Sequence, residues 1–481
     1  MTRPAARARR LAQPALAALG VLGMVGGLAA AALAGCAGAT SATSSSASAS
    51  SSATASPAGA APAGSGSTAA AAASLTPQAR ANLASFDHVW QTIKDKHWDR
   101  AQVGASWERA RRELRPRVAA ARGEPEARAV MNELLGRLGL SHFGIIPAAA
   151  DTDARPCEPG DLGLDARLID DGVVVTRAHA GGPAAAAGVQ PGWLIERIGD
   201  TEIAPLIADV RQSLPAQRAA PIEAVLRLSS GCIGERARLR ARGRGDRPVT
   251  VELARAAPAG REVVFGNLPA LRLSYRARRL PRNTAYVSLS VFIDAEVVLA
   301  EFARDMDRFA ATRGLVLDLR GNPGGIAGMA MGMGSWFVRD HIHVLGTMKT
   351  RDAALNLILT PRPRPYAGKL AILVDELSMS TSEMLAGGLQ DLGRARVFGS
   401  RTPGAALPSA IERLPNGDGF QYALGSYVSA GGKSLEGHGV VPDQEVPLTR
   451  AALLAGKDPA LEAALAWIRA DDGARTTRRD R

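Results

Sequence analysis

An α/β protein with a helical N-terminal region and an inserted β-rich unit is what three patterns in this 481-residue sequence predict. Apolar residues recur at three- and four-residue spacing over 76–140. Short strand-like runs separated by glycine- and proline-bearing turns fill 158–255. From about 262 to 450, apolar runs alternate with helical segments, the order of a largely parallel sheet joined by helical crossovers. At 46% hydrophobic and 22% charged residues most of the chain is globular, and it is too long for one domain of roughly 100–200 residues.

The first 35 residues read as a leader. Arg3, Arg7, Arg9 and Arg10 precede LAALGVLGMVGGLAAAALAGC, whose Ala/Gly richness and small-residue ending favour a cleavable signal over a spanning helix. The ending LAGC resembles a bacterial lipobox. That resemblance makes Cys36 the expected lipidation site and puts the protein on the cell envelope, anchored by acyl chains and facing the periplasm or exterior. Residues 36–75, nearly pure Ala, Ser, Thr, Gly and Pro, cannot bury enough apolar surface to fold and read as a tether.

Within 76–150 the helical segments are LASFDHVWQTIKDKHW and EARAVMNELLGRLG, the second with Val130, Leu134, Leu135 and Leu138 on one face. Gly139 fits a helix stop, and LSHFGIIP leaves in extended form with Ser141–His142 at the junction. Residues 151–255 make the β-rich unit. In 256–453 the alternation runs TAYVSLSVF, VVLAEFARDMDRFAA, GLVLDLR, a helix after GNPGG, then KLAILVDE, SEMLAGGLQDLG and ARVFGS. A short helix and a charged tail close 454–481.

The net charge of +12 does not point to nucleic acid. Only six of the 58 basic residues are lysines, the charge is spread along the chain, and aromatics make up 4%. Of three cysteines, Cys157 and Cys232 share the β-rich unit; in an exported protein two such thiols either pair or stay free, and both remain open. Three cysteines this far apart do not form a metal site. His341 and His343, with no fixed third ligand, read as surface residues.

The stretch LVDELSMSTSEMLAGGLQ, residues 373–390, holds the chemistry. Ser380 and Glu383 have the spacing of a capping box, a structural role. A serine on a strand-to-helix turn is also placed for nucleophilic attack, because the first helical amides can stabilise an oxyanion. In LVLDLRGNPGG, Gly324 and Gly325 would let a backbone N–H approach a carbonyl closely. The absence of a GK[ST] ending argues against phosphate binding there.

Taken with LEGHGVVPD, these segments resemble the C-terminal-processing (tail-specific) serine proteases, over about 76–450. DLGLDARLIDDGVVVTRAHAGGPAAAAGVQPGWLIERIGDTEI resembles a PDZ domain, which would occupy 151–255. The resemblance implies a crotonase/Clp-like α/β core at 256–453 and a PDZ loop, Asp161, Leu162, Gly163 and Leu164, that takes a substrate C-terminus. It makes Ser380 the nucleophile, with Ser378 and Ser382 in support. The amides of Thr381 and of Gly324 or Gly325 would form the oxyanion hole.

Better-known members of that family carry a lysine base twenty-five residues beyond the serine, where this chain has Ala405. A methyl group accepts no proton. A second branch, typified by the tricorn core protease, uses a histidine, and its matching positions here are His142, Ser141 and Glu436. A neutral imidazole takes a serine proton near pH 7, and Glu436 would orient it either directly or through Ser141. His438 is the rival base, with Lys433 more remote. The implied function is an exported serine endopeptidase acting on protein or peptide substrates, needing no metal or organic cofactor. The alternative is a catalytically inactive binding protein on the same scaffold, as in the retinoid-binding repeats; Ala405 fits it, but the retention of Ser141, His142, Ser380 and Glu436 favours an enzyme. Substrate identity and oligomeric state are not legible.

Overall fold

Thr76 caps the first described helix: its hydroxyl accepts the Ala79 N–H at 3.1 Å, and Pro77 follows at the first helical position. The computed structural model describes residues 75–148, 157–208, 219–264 and 270–470. The leader, Cys36, the tether up to residue 74 and the tail from 471 lie outside the described residues. Among the described residues no helix is long and apolar enough to cross a membrane. From Thr76 onward the chain packs as one unit.

Three helices come first, α1 (Pro77–Lys96), α2 (Ala105–Ala119) and α3 (Glu124–Gly136). Phe86, Val89, Trp90 and Ile93 of α1 are buried at helical spacing, as are Val130, Met131, Leu134 and Leu135 of α3. Each such side chain contributes about 1.5–3 kcal/mol by leaving water. The Trp90 and Trp107 indoles each donate to the other residue's carbonyl, at 3.2 and 3.1 Å, so α1 and α2 lock with both N–H groups satisfied. After α3 the chain turns through Gly139 and His142, both at positive φ, into the short strand β1 (Gly144–Ile146).

The β-rich unit is a sheet in the order β2 (Leu164–Ile169), β3 (Gly172–Ala178), β4 (Leu194–Ile198), β5 (Arg236–Arg242) and β6 (Pro248–Ala254), all antiparallel. Helix α4 (Ala219–Ser229) packs on β2. Cys157 and Cys232 form a disulfide beside the Pro159–Cys232 strand pairing, which resolves the question of whether they pair.

The core sheet has the order β7 (Tyr275–Leu280), β8 (Thr284–Leu289), β9 (Gly314–Asp318), β12 (Lys369–Val374), β13 (Ala395–Gly399), β17 (Gln444–Glu445), parallel except for β7 at the edge. Between β9 and β12 lies the antiparallel hairpin β10 (His343–Lys349) and β11 (Ala354–Leu359). Beyond β13 come the hairpin β14 (Ser409–Arg413) and β15 (Gly419–Ala423) and strand β16 (Ser426–Ser429).

Both faces of the core sheet are covered, so its strands read as continuous apolar runs. Leu315, Leu317, Leu370, Ile372 and Val397 face the helices α5 (Ala295–Arg308), α6 (Ala327–Gly334) and α7 (Thr381–Asp391). Val316, Ala371, Leu373 and Phe398 face α8 (Pro459–Arg469) through Ala460, Ala464 and Ile468. Hairpin β14–β15 receives the N-terminal helices. Buried Asp418 accepts Arg128 Nε and Ala148 N–H, both at 2.8 Å, and Asn416 binds Ser85 and Asn82 on α1. β1 adds to β15 in antiparallel register, Ile145 opposite Phe420. Those contacts fix the segment that carries Ser141 and His142.

Candidate active site

Three loops converge at the carboxyl ends of β9, β12 and β13, the crevice where open α/β sheets commonly hold their sites. The first is the glycine turn after β9. Asn322, fully buried, accepts the Gly324 N–H on its side-chain oxygen at 2.9 Å and donates its amide to Leu289 O at 2.8 Å. Its backbone carbonyl accepts Met379 N–H at 3.0 Å and the Ser382 hydroxyl at 2.9 Å, which ties this turn to the second loop. A Cβ on Gly324 would come within 2.7 Å of Ser380 Cβ and 2.9 Å of Thr381 N, so only glycine permits this approach.

The second loop, Asp375–Ser380, ends β12 and starts α7. Ser378 donates to Leu319 O at 2.8 Å and serves as a brace. Asp375 accepts from Arg167 Nε and Gly321 N–H, both at 2.8 Å, and from Leu377 N–H at 3.0 Å. Arg167 sits on β2, so the β-rich unit grips both loops. Ser380 lies at φ 54°, ψ −116°, a region that costs a non-glycine residue about 1–3 kcal/mol. Its N–H donates to Ala405 O at 2.8 Å and Glu383 Oε2 at 3.0 Å, and its carbonyl accepts Met384 N–H at 2.9 Å. The sharp turn therefore puts a half-buried hydroxyl at the positive end of α7.

Glu383 completes the capping box but does more than cap. Besides Ser380 it accepts the Thr402 hydroxyl at 2.5 Å, Gly404 N–H at 2.7 Å and Ala405 N–H at 2.9 Å. Burial pushes this carboxyl up to about 7 against the pull of those donors. Thr402, Gly404 and Ala405 belong to the third loop, after β13. Their part was not foreseen, because GSRTPGAALPS was read only for the lysine it lacks. The signal was the buried-acid motif itself, since an acid at that position needs donors from somewhere.

Beside Ala405, the Ala406 N–H donates to Glu436 Oε2 at 3.1 Å. Glu436 also accepts the Ser141 N–H at 2.7 Å and the Ser141 hydroxyl at 2.8 Å, and that hydroxyl lies 2.8 Å from His142 Nδ1. Glu436 thus contacts His142 through Ser141 rather than directly. The hydroxyl gives its proton to the carboxylate and so receives the Nδ1–H, which leaves a lone pair on Nε2. His142 is not a helix-end histidine; α3 ends six residues earlier. Burial pushes His142 down to about 4 and raises Glu436.

The other candidates fall away. His438 is exposed and bonded through Nδ1 to the Glu436 carbonyl. Lys433 is paired with Asp391 at 2.7 Å. His341 and His343 stack on each other at 4.2 Å, and among the described residues no group of three or more His, Cys, Asp or Glu is placed to hold a metal. In the β-rich unit, Leu162 and Leu164 are buried, and the Gly163 N–H is engaged by Asp161 Oδ1 at 2.8 Å.

A serine at a helix head, an imidazole bonded to a carboxylate-bound hydroxyl and a glycine turn are the kinds of parts a serine protease uses. The sequence agrees: residues 283–446 match the profile of peptidase family S41, and 81–136 that of the tricorn protease C1 domain. Residues 283–446 thus carry a peptidase family S41 segment, and the relatives this chain resembles include C-terminal-processing peptidases. It is 26% identical over 391 residues to the "C-terminal processing peptidase, chloroplastic" of Tetradesmus obliquus, covering 78% of this chain and 80% of that one. It is 23% identical over 286 residues to the "Probable CtpA-like serine protease" of Staphylococcus haemolyticus (strain JCSC1435), covering 59% of this chain. The match spans about half of that staphylococcal protein, 52%. The structure of the photosystem II D1 C-terminal processing protease has the same fold, with a TM-score of 0.52, 20% identity, and coverage of 82% of this chain and 98% of that one.

Proposed function

We propose that the protein is an exported, lipid-anchored serine endopeptidase that takes protein or peptide substrates by their C-termini. The β-rich unit is read as a PDZ domain and the core as crotonase-like. With the Gly163 amide engaged, the neighbouring amides of the 161–164 loop would receive the substrate carboxylate. Ser380 Oγ attacks the scissile carbonyl while His142 Nε2 takes its proton. The oxyanion is received by the Thr381 N–H and by that of Gly325; Gly324 is the lesser choice, since its amide is held by Asn322 and Gly325 is the exposed one of the pair. His142 then protonates the leaving amine, and water releases the acyl group by the reverse path.

One observation carries this reading: the Glu436–Ser141–His142 chain of hydrogen bonds ends on the loop whose preceding residue, Ala405, binds the Ser380 backbone. Fluorophosphonate labelling of the purified protein tests it. Labelling is expected in the wild type and lost in Ser380→Ala. Labelling that persists in that variant would remove the nucleophile, and full activity in His142→Ala would remove the base. A wild type that never labels would return the scaffold to the non-catalytic alternative.

A further inference from the structure

Met379 directly precedes Ser380, and its side chain turns away from the protease core. With Leu377 it reaches the apolar cluster of the β-rich unit: Leu377 is buried as a member of that cluster, and half-buried Met379 packs against it. The backbone of Met379 is meanwhile part of the nucleophile turn. Its N–H donates to Asn322 O at 3.0 Å, and its carbonyl accepts the Ser382 N–H at 3.0 Å. One residue thus has its thioether in one apolar cluster and its peptide groups under Ser380.

Access singles it out. Met131, Met306, Met329, Met333 and Met384 are at most 1% exposed, whereas Met331, Met348 and Met379 are half-buried. Among the described residues these three methionines are the more exposed ones, and of them Met379 is the one beside Ser380.

We propose that Met379 is a redox modification site controlling the nucleophile turn. A peroxide transfers one oxygen atom to Sδ; the O–O bond breaks, water leaves, and the sulfur loses two electrons to become a sulfoxide. The new S=O dipole finds no hydrogen-bond donor in an apolar cluster, so the side chain leaves that contact for water. The wedge of residues 377–379 then shifts, and with it a Ser380 held at a strained φ. A dithiol-dependent sulfoxide reductase reverses the oxidation. The effect on chemistry rests on Ser380 being the nucleophile; the oxidation and the movement do not.

The test uses the full chain and graded hydrogen peroxide, comparing wild type, Met379→Leu and Met348→Leu. It reads sulfoxide occupancy by peptide mass spectrometry, the fluorophosphonate labelling rate, and hydrogen exchange across 377–383. Labelling should fall about tenfold, the scale of an unpaired polar group in an apolar contact, in step with Met379 occupancy and faster exchange. Met379→Leu should keep its starting rate under peroxide, Met348→Leu should lose it like the wild type, and reductase treatment should restore the wild type. Two results overturn the proposal: Met379 unoxidised while Met331 or Met348 fill, or Met379 sulfoxide with unchanged exchange over 377–383. If untreated wild type does not label, the nucleophile assignment fails, and the exchange measurement still judges the modification.

Discussion

Ser380 donates its backbone N–H to the carbonyl oxygen of Ala405 at 2.8 Å. Ala405, at the position where the resembled proteases carry a lysine, thus touches the proposed nucleophile, but by its backbone. Restoring a lysine there should not restore a base. Ala405 is buried, its own N–H is held by Glu383, and its neighbour's by Glu436. A long side chain forced into this buried position must displace its neighbours, so its amine is not delivered to the Ser380 hydroxyl. The double variant His142→Ala/Ala405→Lys is expected to remain as inactive as His142→Ala, measured by fluorophosphonate labelling.

Ser141 relays between Glu436 and His142, so removing either partner disables the same device. Ser141→Ala and Glu436→Gln should each lower kcat/KM about 10- to 100-fold. The double variant should be no worse than the weaker single one, because the two side chains act as a unit. Additive losses in steady-state kinetics would show independent roles.

The pH dependence follows from two buried groups with opposite signs. With His142 pushed down to about 4, the imidazole stays a free base well below its ordinary 6.5. The acid limb of kcat/KM is expected between about pH 4 and 5. In stability terms the unfolded chain binds the histidine proton below 6.5 and the folded chain only below about 4, so His142 makes the Tm fall as pH drops through that window. Glu383 does the reverse. Folded, it holds its proton up to about 7; unfolded, it releases it near 4.5, so its contribution is lost as pH rises between those values. Glu376, which burial also pushes up to about 7, adds to the Glu383 slope, so the Tm should fall more steeply with rising pH between 4.5 and 6.5 in His142→Ala than in the wild type.

Arg167 leaves Asp375 as an unpaired buried carboxylate when truncated. Arg167→Ala is expected to cost about 3 kcal/mol or more, since breaking one side of a buried pair strands the other. Arg167→Met with Asp375→Asn should recover part of that loss in thermal or denaturant unfolding. Activity in the single variant should fall further than stability alone explains, because Asp375 also holds Gly321 and Leu377.

Parallel strands were legible because each is an apolar run long enough to stand out, as with GLVLD and KLAILV. Strand β7 was not: YRARRL alternates arginine outward and reads as polar. The hairpins β10–β11 and β14–β15 lacked a turn signal strong enough to separate them from loops. At the site, local patterns carried far. The Ser380–Glu383 spacing pointed to a cap, and the structure has one there, on the strand-to-helix turn that the proposed nucleophile needs. What one dimension could not supply was distance: the Ser141–Glu436 contact, and the donors Thr402 and Gly404 around Glu383, depend on loops meeting in space.

The Ser141–Glu436 contact closes across 295 positions. During synthesis the imidazole is therefore made long before the acid that orients it, and more than four hundred residues must emerge before the pair can meet. Under the proposed mechanism, a chain ended before Glu436 lacks the carboxylate that holds Ser141 and, through it, His142.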